Sequence, residues 1–252
     1  MNGVEIFAAL DLPAAALVER RVPKTMLHEH GAPTAADKRG ISDGIEQLSW
    51  VAALKPTTIG VAEYRDEVRE YLEIAILHLT LRAAAKAGRL IDLVHRSVPY
   101  PVLMVAEQAE RAHLSLAHKR WSQGETGRTV LDGEVVAVEW DGAGDDPHRE
   151  AFHDALGVGR QPRGTLFALY QGWIDTVLAL QAARRVGVFA MPGSVDRAVE
   201  RRDALQECER LEANIARLRG AASKEKQMAR QVELNLELKR VETARVAALA
   251  KL

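Results

Sequence analysis

Beyond residue 194 the apolar positions fall into one rhythm. Ala204, Cys208, Leu211, Ile215, Leu218 and Ala222 are spaced four, three, four, three and four, which keeps them on one stripe of a slightly underwound helix and predicts a coiled-coil seam. Gly220 interrupts the pattern. Ser223, followed by Lys224-Glu225-Lys226, then offers a hydroxyl to the orphan amides of a new helix, so the segment reads as a helical hairpin. On the second arm Met228, Val232 and Leu236 share one face, while Leu234, Leu238 and Val241 share another. Two apolar faces predict two neighbours, one within the hairpin and one elsewhere.

Upstream the pattern is mixed. Ile6, Phe7, Leu10, Leu17 and Val18 around Pro13 predict a short helix, broken and resumed. Thr34-Ala35-Ala36-Asp37 predicts a helix cap, and Ile41, Ile45, Leu48 and Val51 extend that helix toward Pro56. Tyr71 to Leu81 runs almost continuously apolar, as a central strand covered on both faces does. A helical stretch, Leu90 to His95, separates it from a second strand at Val102 to Ala106, and strand, helix, strand permits a parallel crossover. Ala112 to Trp121 and Thr129 to Trp140 alternate about a turn at Gly124 to Gly127 and predict antiparallel strands. Asp141 to Pro147 is a loop by composition, and Thr165 to Arg185 carries an apolar stripe wide enough to pack on a sheet. The fold class is therefore α+β: a mixed β-sheet with helices against it over residues 1–190, then a C-terminal, coiled-coil-like helical hairpin over residues 195–252.

Composition sharpens that boundary. Every aromatic residue lies at or before Phe189 and every proline at or before Pro192. The formal net charge is -1, so no global field pulls the chain onto nucleic acid or an acidic membrane. From Asp196 onward there are 13 basic and 10 acidic residues, enough for ion pairs beside a seam but little net attraction for DNA. A single cysteine, Cys208, excludes an internal disulfide framework and suits a reducing compartment. The opening residues lack the charge and apolar run of a signal peptide, and no apolar stretch approaches the roughly 20 residues of a membrane helix. A cytoplasmic protein with no membrane contact is expected.

Catalytic templates fail one by one. His28-Glu29-His30 has metal-binding residue types, but histidines two apart share a face only on a strand, and a Gly-Ala-Pro loop follows. Asp145, Asp146, His148, Glu150, His153 and Asp154 form a polar cluster that an acidic loop leading into a capped helix explains equally well. His148 and His153 are five apart rather than the four a helical zinc hydrolase needs. Glu73 is followed by Ile74-Ala75 rather than by a Glu-x-Lys spacing, which argues against a metal-dependent nuclease. Neither a nucleophile elbow nor a phosphate-binding P-loop is present, and Cys208 on the seam is a small buried hydrophobe. No metal, cofactor or catalytic residue is therefore assigned. Two clusters stay open as binding candidates: Asp37 and Lys38 behind the cap, and Lys119, Arg120 and Trp121 at a strand end, where cations beside an indole can take phosphate or a base. The bland alternative is that Lys119 and Arg120 snorkel and pair with surface carboxylates.

Several blocks together carry a resemblance. They are His95-Arg96-Ser97-Val98-Pro99-Tyr100-Pro101-Val102, Leu114 to Arg120, Val22 to Lys38, Trp50 to Pro56, Tyr71 to Ile74, Leu169 to Ile174 and Lys224 to Asn235. Through them nearly the whole chain resembles the bacterial domain-of-unknown-function family 4391. Members of that family resemble accessory proteins encoded beside DNA methyltransferases and helicases of restriction or phage-defence type. The family has no established catalytic residues to carry over. Thr25-Met26-Leu27-His28 stands where a more basic run is expected, which weakens a phosphate site there. The resemblance implies an accessory or adaptor subunit without catalysis, whose protein partner is a methyltransferase or helicase, and weak nucleic-acid binding at most. Its docking helix would carry Cys208, Leu211, Ile215, Leu218, Val232 and Leu236. Self-association through the tail is the alternative occupant. An opposing reading is a nucleotide-binding or nucleic-acid-processing enzyme with Asp37, Lys38, Glu73, Lys119 and Arg120 gathered at the strand ends; it stands or falls on their convergence.

Overall fold

The structure, a computed structural model, describes residues 1–252 except Thr126, Ala143 and Asp145 and the side chain of His30. The first helix, α1 (Gly3–Leu10), begins with a reciprocal cap: Asn2 Oδ1 accepts from the Glu5 amide and Glu5 Oε2 from the Asn2 amide, each at 3.0 Å. Past Pro13 the helix does not resume. One 3-10 turn (Ala14–Ala16) leads instead into strand β1 (Leu17–Arg21). Two helices follow, α2 (Lys24–His30) and α3 (Ala35–Gly44), the latter capped by Thr34 as predicted, with Oγ1 accepting from the Asp37 amide at 3.1 Å.

The predicted extension of α3 toward Pro56 is incorrect, because Ile45–Leu54 is strand β2. Two register irregularities shift the phase of this strand, between Ile45 and Gln47 and between Trp50 and Ala52, so its buried positions mimic helical spacing. The chain continues through α4 (Pro56–Ile59), β3 (Tyr64–Arg65), β4 (Glu70–Tyr71), β5 (Ile74–Leu81), α5 (Ala87–Ser97), β6 (Val102–Gln108) and β7 (Arg111–Ala117). Next come β8 (Lys119–Trp121), β9 (Thr129–Leu131), β10 (Val136–Asp141), α6 (Arg149–Leu156), α7 (Leu166–Val186), α8 (Val195–Lys224) and α9 (Met228–Leu249). The fold is α+β. Its six-stranded sheet has the order β1-β2-β5-β6-β7-β10, with β5 and β6 parallel across the α5 connection and the other neighbours antiparallel.

One face of the sheet presents Ala75, Leu77, Leu79 and Met104 to Leu27, Ile41, Leu90 and Val94 of α2, α3 and α5. Helix ends leave carbonyls without partners, and two of these helices end on a lysine. Lys24 Nζ donates to the Ser42 carbonyl at 3.3 Å and to that of Ile45, at the end of α3; Lys119 Nζ donates to the Val98 carbonyl at 2.8 Å and to that of His95, at the end of α5. On the opposite face α7 is anchored by Tyr170, whose hydroxyl donates to the Val102 carbonyl at 2.6 Å and accepts from the Ala117 amide at 2.8 Å.

The chain divides into two compact units, Met1–Val177 and Leu178–Leu252, so the last turns of α7 belong with the hairpin. Within the second unit Arg185 pairs with Glu209 at 3.4 Å and Glu212 at 3.8 Å. The hairpin turn falls at 225–227, not at Gly220, which lies inside α8. Ser223 caps no new helix, since its hydroxyl donates to the Gly220 carbonyl at 3.1 Å; Glu225 Oε1 instead accepts from the Lys226 and Gln227 amides at 2.7 and 2.8 Å. Among the described residues no helix is long and apolar enough to cross a membrane.

Candidate functional site

The five residues on which an enzyme site would depend do not meet. Asp37 accepts from Thr34 Oγ1 at 2.7 Å and from Arg89 Nε at 2.9 Å in the first turns of α5. The Thr34 hydroxyl, seconded by Arg89, holds its carboxyl below the usual range. Lys38 is exposed. Lys119 sits at the other end of α5, roughly 14 Å away along a helix that rises about 1.5 Å per residue. Glu73 is bound to Lys55 Nζ at 2.9 Å. Arg120 Nη1 donates to the Trp121 carbonyl at 3.2 Å, and its Nε lies 3.7 Å from Asp132. Among the described residues the cation that covers an aromatic ring is Arg69, 5.1 Å from the centre of Phe167 and 3.0 Å from Asp132, rather than Lys119 or Arg120 over Trp121.

Lys119 is only 1% exposed, which removes it as a phosphate ligand. Its role is to close α5, where a cation complements the negative helix end. Burial, with Arg96 adding repulsion, pushes its amine down to about 7. In the same interior His95 Nε2 and Ser115 Oγ are 3.0 Å apart. This spacing resembles a nucleophile and its base, yet both residues are 0% exposed and no substrate reaches them. Burial pushes His95 down to about 3, so it is neutral. These contacts join the segments 95–102 and 114–120 in space.

Two clefts flank α5. One, of about 700 Å³, opens between α5 and β7–β10, and most of its charges are paired, Asp92 with Arg89 and Arg96 and Glu139 with Arg111. The other, of about 560 Å³, lies between α3 and α5 and holds the Asp37–Arg89 pair. No group of three or more metal-ligating side chains occurs among the described residues. His28 Nε2 lies 3.3 Å from Ser42 Oγ, and His28-Glu29-His30 falls on helix α2; the His30 side chain and Asp145 lie outside the described residues.

A partly exposed polar pair was not legible in the sequence. His78 Nε2 lies 2.7 Å from Glu107 Oε2 on the neighbouring parallel strand, and the other Glu107 oxygen accepts from the Gly3 amide at 2.9 Å. Phe7 meets the imidazole edge-on at 5.3 Å. The available signal was the polar break at His78 and Thr80, two apart within the apolar β5 run, which marks one face of that strand as leaving the core.

In the hairpin, α9 covers the predicted docking seam. Cys208 and Leu211 pack with Ala248, and Leu218 and Ala222 with Leu234. Ile215 is also buried, so Cys208, Leu211, Ile215 and Leu218 offer no surface to another chain. The ion pairs Arg219–Glu242 at 2.7 Å and Arg245–Glu212 at 3.0 Å flank the seam. Val232 and Leu236 remain 51% and 56% exposed, with Met228 beside them at 75%.

The fold and its sites thus define a mixed-sheet α+β protein with a helical hairpin. The family described as Domain of unknown function (DUF4391) matches residues 10–244, and the chain belongs to it. Neither a curated protein nor a solved structure matches the chain.

Proposed function

We propose that this protein is an accessory subunit of a bacterial DNA-modification or phage-defence assembly that docks through the outer face of α9. The observation that carries the reading is the stripe Met228, Val232 and Leu236, each more than half exposed although the rest of the seam is packed. These residues recur every four positions, the ridge that interlocks with the grooves of another helix. The occupant is an amphipathic helix of a DNA methyltransferase or helicase, the partner class implied by the resemblance. Arg230 and Glu233, charges of both signs beside the stripe, suit a mixed-charge helix rather than DNA.

The test is co-purification of the full chain with a DNA methyltransferase or helicase co-expressed from the same genome, against the double variant Val232→Glu, Leu236→Glu. Both positions are exposed, so the variant keeps the hairpin. Capture by the natural chain and loss in the variant are expected. Equal capture by both overturns the docking role, and a concentration-dependent dimer that the same variant dissolves assigns the stripe to self-association instead.

A further inference from the structure

Side chains from α2 and from the end of β5 meet at one residue, Ser42, in the last turn of α3. Lys24 Nζ and Arg82 Nη1 donate to the same Ser42 carbonyl, at 3.3 and 3.2 Å, so the two cationic nitrogens stand at most 6.5 Å apart. One turn beyond Lys24, His28 Nε2 lies 3.3 Å from the Ser42 hydroxyl oxygen. Arg21, at the end of β1, lines a cleft of about 350 Å³ together with Lys24, Glu46 and Gln47.

The helix end explains only part of this gathering. A helix C-terminus carries about half a negative charge, which one cation complements. Here two cations share one carbonyl, and a third stands close enough to repel them. Burial, followed by repulsion from Arg82 and Arg21, holds the Lys24 amine below the usual lysine value, and the nearby carboxylates of Asp43 and Glu46 do not offset it. Among the described residues neither carboxylate forms an ion pair with any of the three cations.

The hydrogen bonds also leave donors unspent. Arg82 reaches the Ser42 and Asp43 carbonyls through Nη1 alone, at 3.2 and 2.7 Å, so its Nε and Nη2 protons remain. Lys24 spends two of its three protons, on the Ser42 and Ile45 carbonyls. Arg21 is exposed and donates to no other group among the described residues.

We propose that this cluster binds a phosphate group: the remaining Arg82 nitrogens and the third Lys24 proton take its oxygens, and Arg21 approaches from the cleft beside Lys24. A guanidinium pairs bidentately with phosphate and an ammonium binds it as a point charge. Donors from three separate elements suit a tetrahedral anion better than a planar carboxylate. Free phosphate and the backbone phosphate of a nucleic acid share this chemistry. The site lies in the first unit, apart from α9, and does not rest on the docking role.

The experiment is an NMR titration of the full chain at one fixed salt concentration with inorganic phosphate, with a short DNA duplex and with acetate. The reporters are the Ser42 amide and the His28 ring. Saturable shifts at both are expected with at least one of the two phosphate sources, and the tighter arm identifies the source. Arg82→Gln should weaken binding about tenfold, the cost of one charge-assisted contact. Glu46→Gln removes an opposing charge and should tighten binding about threefold. Glu46 is exposed, so that variant keeps the fold. Arg111→Gln, in the cleft beside α5, should change nothing. Absence of saturation in both phosphate arms, or shifts that spread equally to His148 and His153, overturns the site. A Glu46→Gln chain that binds no tighter does the same, and acetate binding as tight as phosphate overturns the phosphate assignment. The backbone spectrum of each variant, recorded in the same titration, separates loss of binding from loss of fold.

Discussion

At the scale of single residues, the first unit stands on a few buried polar groups whose protonation ties stability to pH. Lys119 has a folded value of about 7, below the ordinary lysine value of 10.5. Between those two values the unfolded chain binds the extra proton, so stability rises as pH rises through that window. Lys119→Met is expected to flatten the rise between pH 7 and 10, read as urea midpoints at fixed temperature; an unchanged slope would show that the amine is not buried. His95 acts on the acid side. Its folded value of about 3 lies below the ordinary 6.5, so the unfolded chain takes the proton first and stability falls as pH drops from 6.5 toward 3. His95→Gln should lessen that fall, measured by the same denaturation at pH 4 and pH 6.5. Steric limits act at the same scale. A Cβ on Gly31 would collide with the Ser97 side chain and lie 2.9 Å from the Leu93 carbonyl. Gly31→Ala should therefore cost about 1–3 kcal/mol of stability, the usual penalty of overpacking, measured by chemical denaturation.

Elements show which apolar patterns mean burial and which mean only exposure. In α9, Leu234 packs under α8 while Leu236, two residues on, faces outward. Leu218→Ala, on the inner seam, should cost about 2–5 kcal/mol, and Leu236→Ala should stay within about 0.5 kcal/mol. Thermal melts followed by helical ellipticity separate the two, and equal losses would mean that the outer stripe is packed after all. The seam itself was readable because a heptad-like repeat has one geometric solution. Its occupant was not, since spacing names a face and says nothing of what lies against it. The segment 45–54 failed for a related reason: irregular strand pairing reproduced helical spacing, and hydrogen bonding to β1 and β5 decided for the strand.

For the whole molecule, the two units have distinct reporters. All four tryptophans, Trp50, Trp121, Trp140 and Trp173, lie in the first unit, whereas α8 and α9 contain no aromatic residue. Leu218→Ala should therefore shift the ellipticity transition and leave the tryptophan-fluorescence transition in place; a joint shift would show that the units unfold together. The sequence alone determined the order of most elements, the crossover through α5, the Thr34 cap and the inner seam, because each depends on neighbours close along the chain. Only the tertiary structure decided that Lys119 closes a helix instead of meeting phosphate, that Asp37 and Glu73 lie apart, and that His78 meets Glu107 across neighbouring strands. Those outcomes depend on which strands become neighbours, and residues as far apart as Gly3 and Glu107 share a hydrogen bond only after the sheet has assembled.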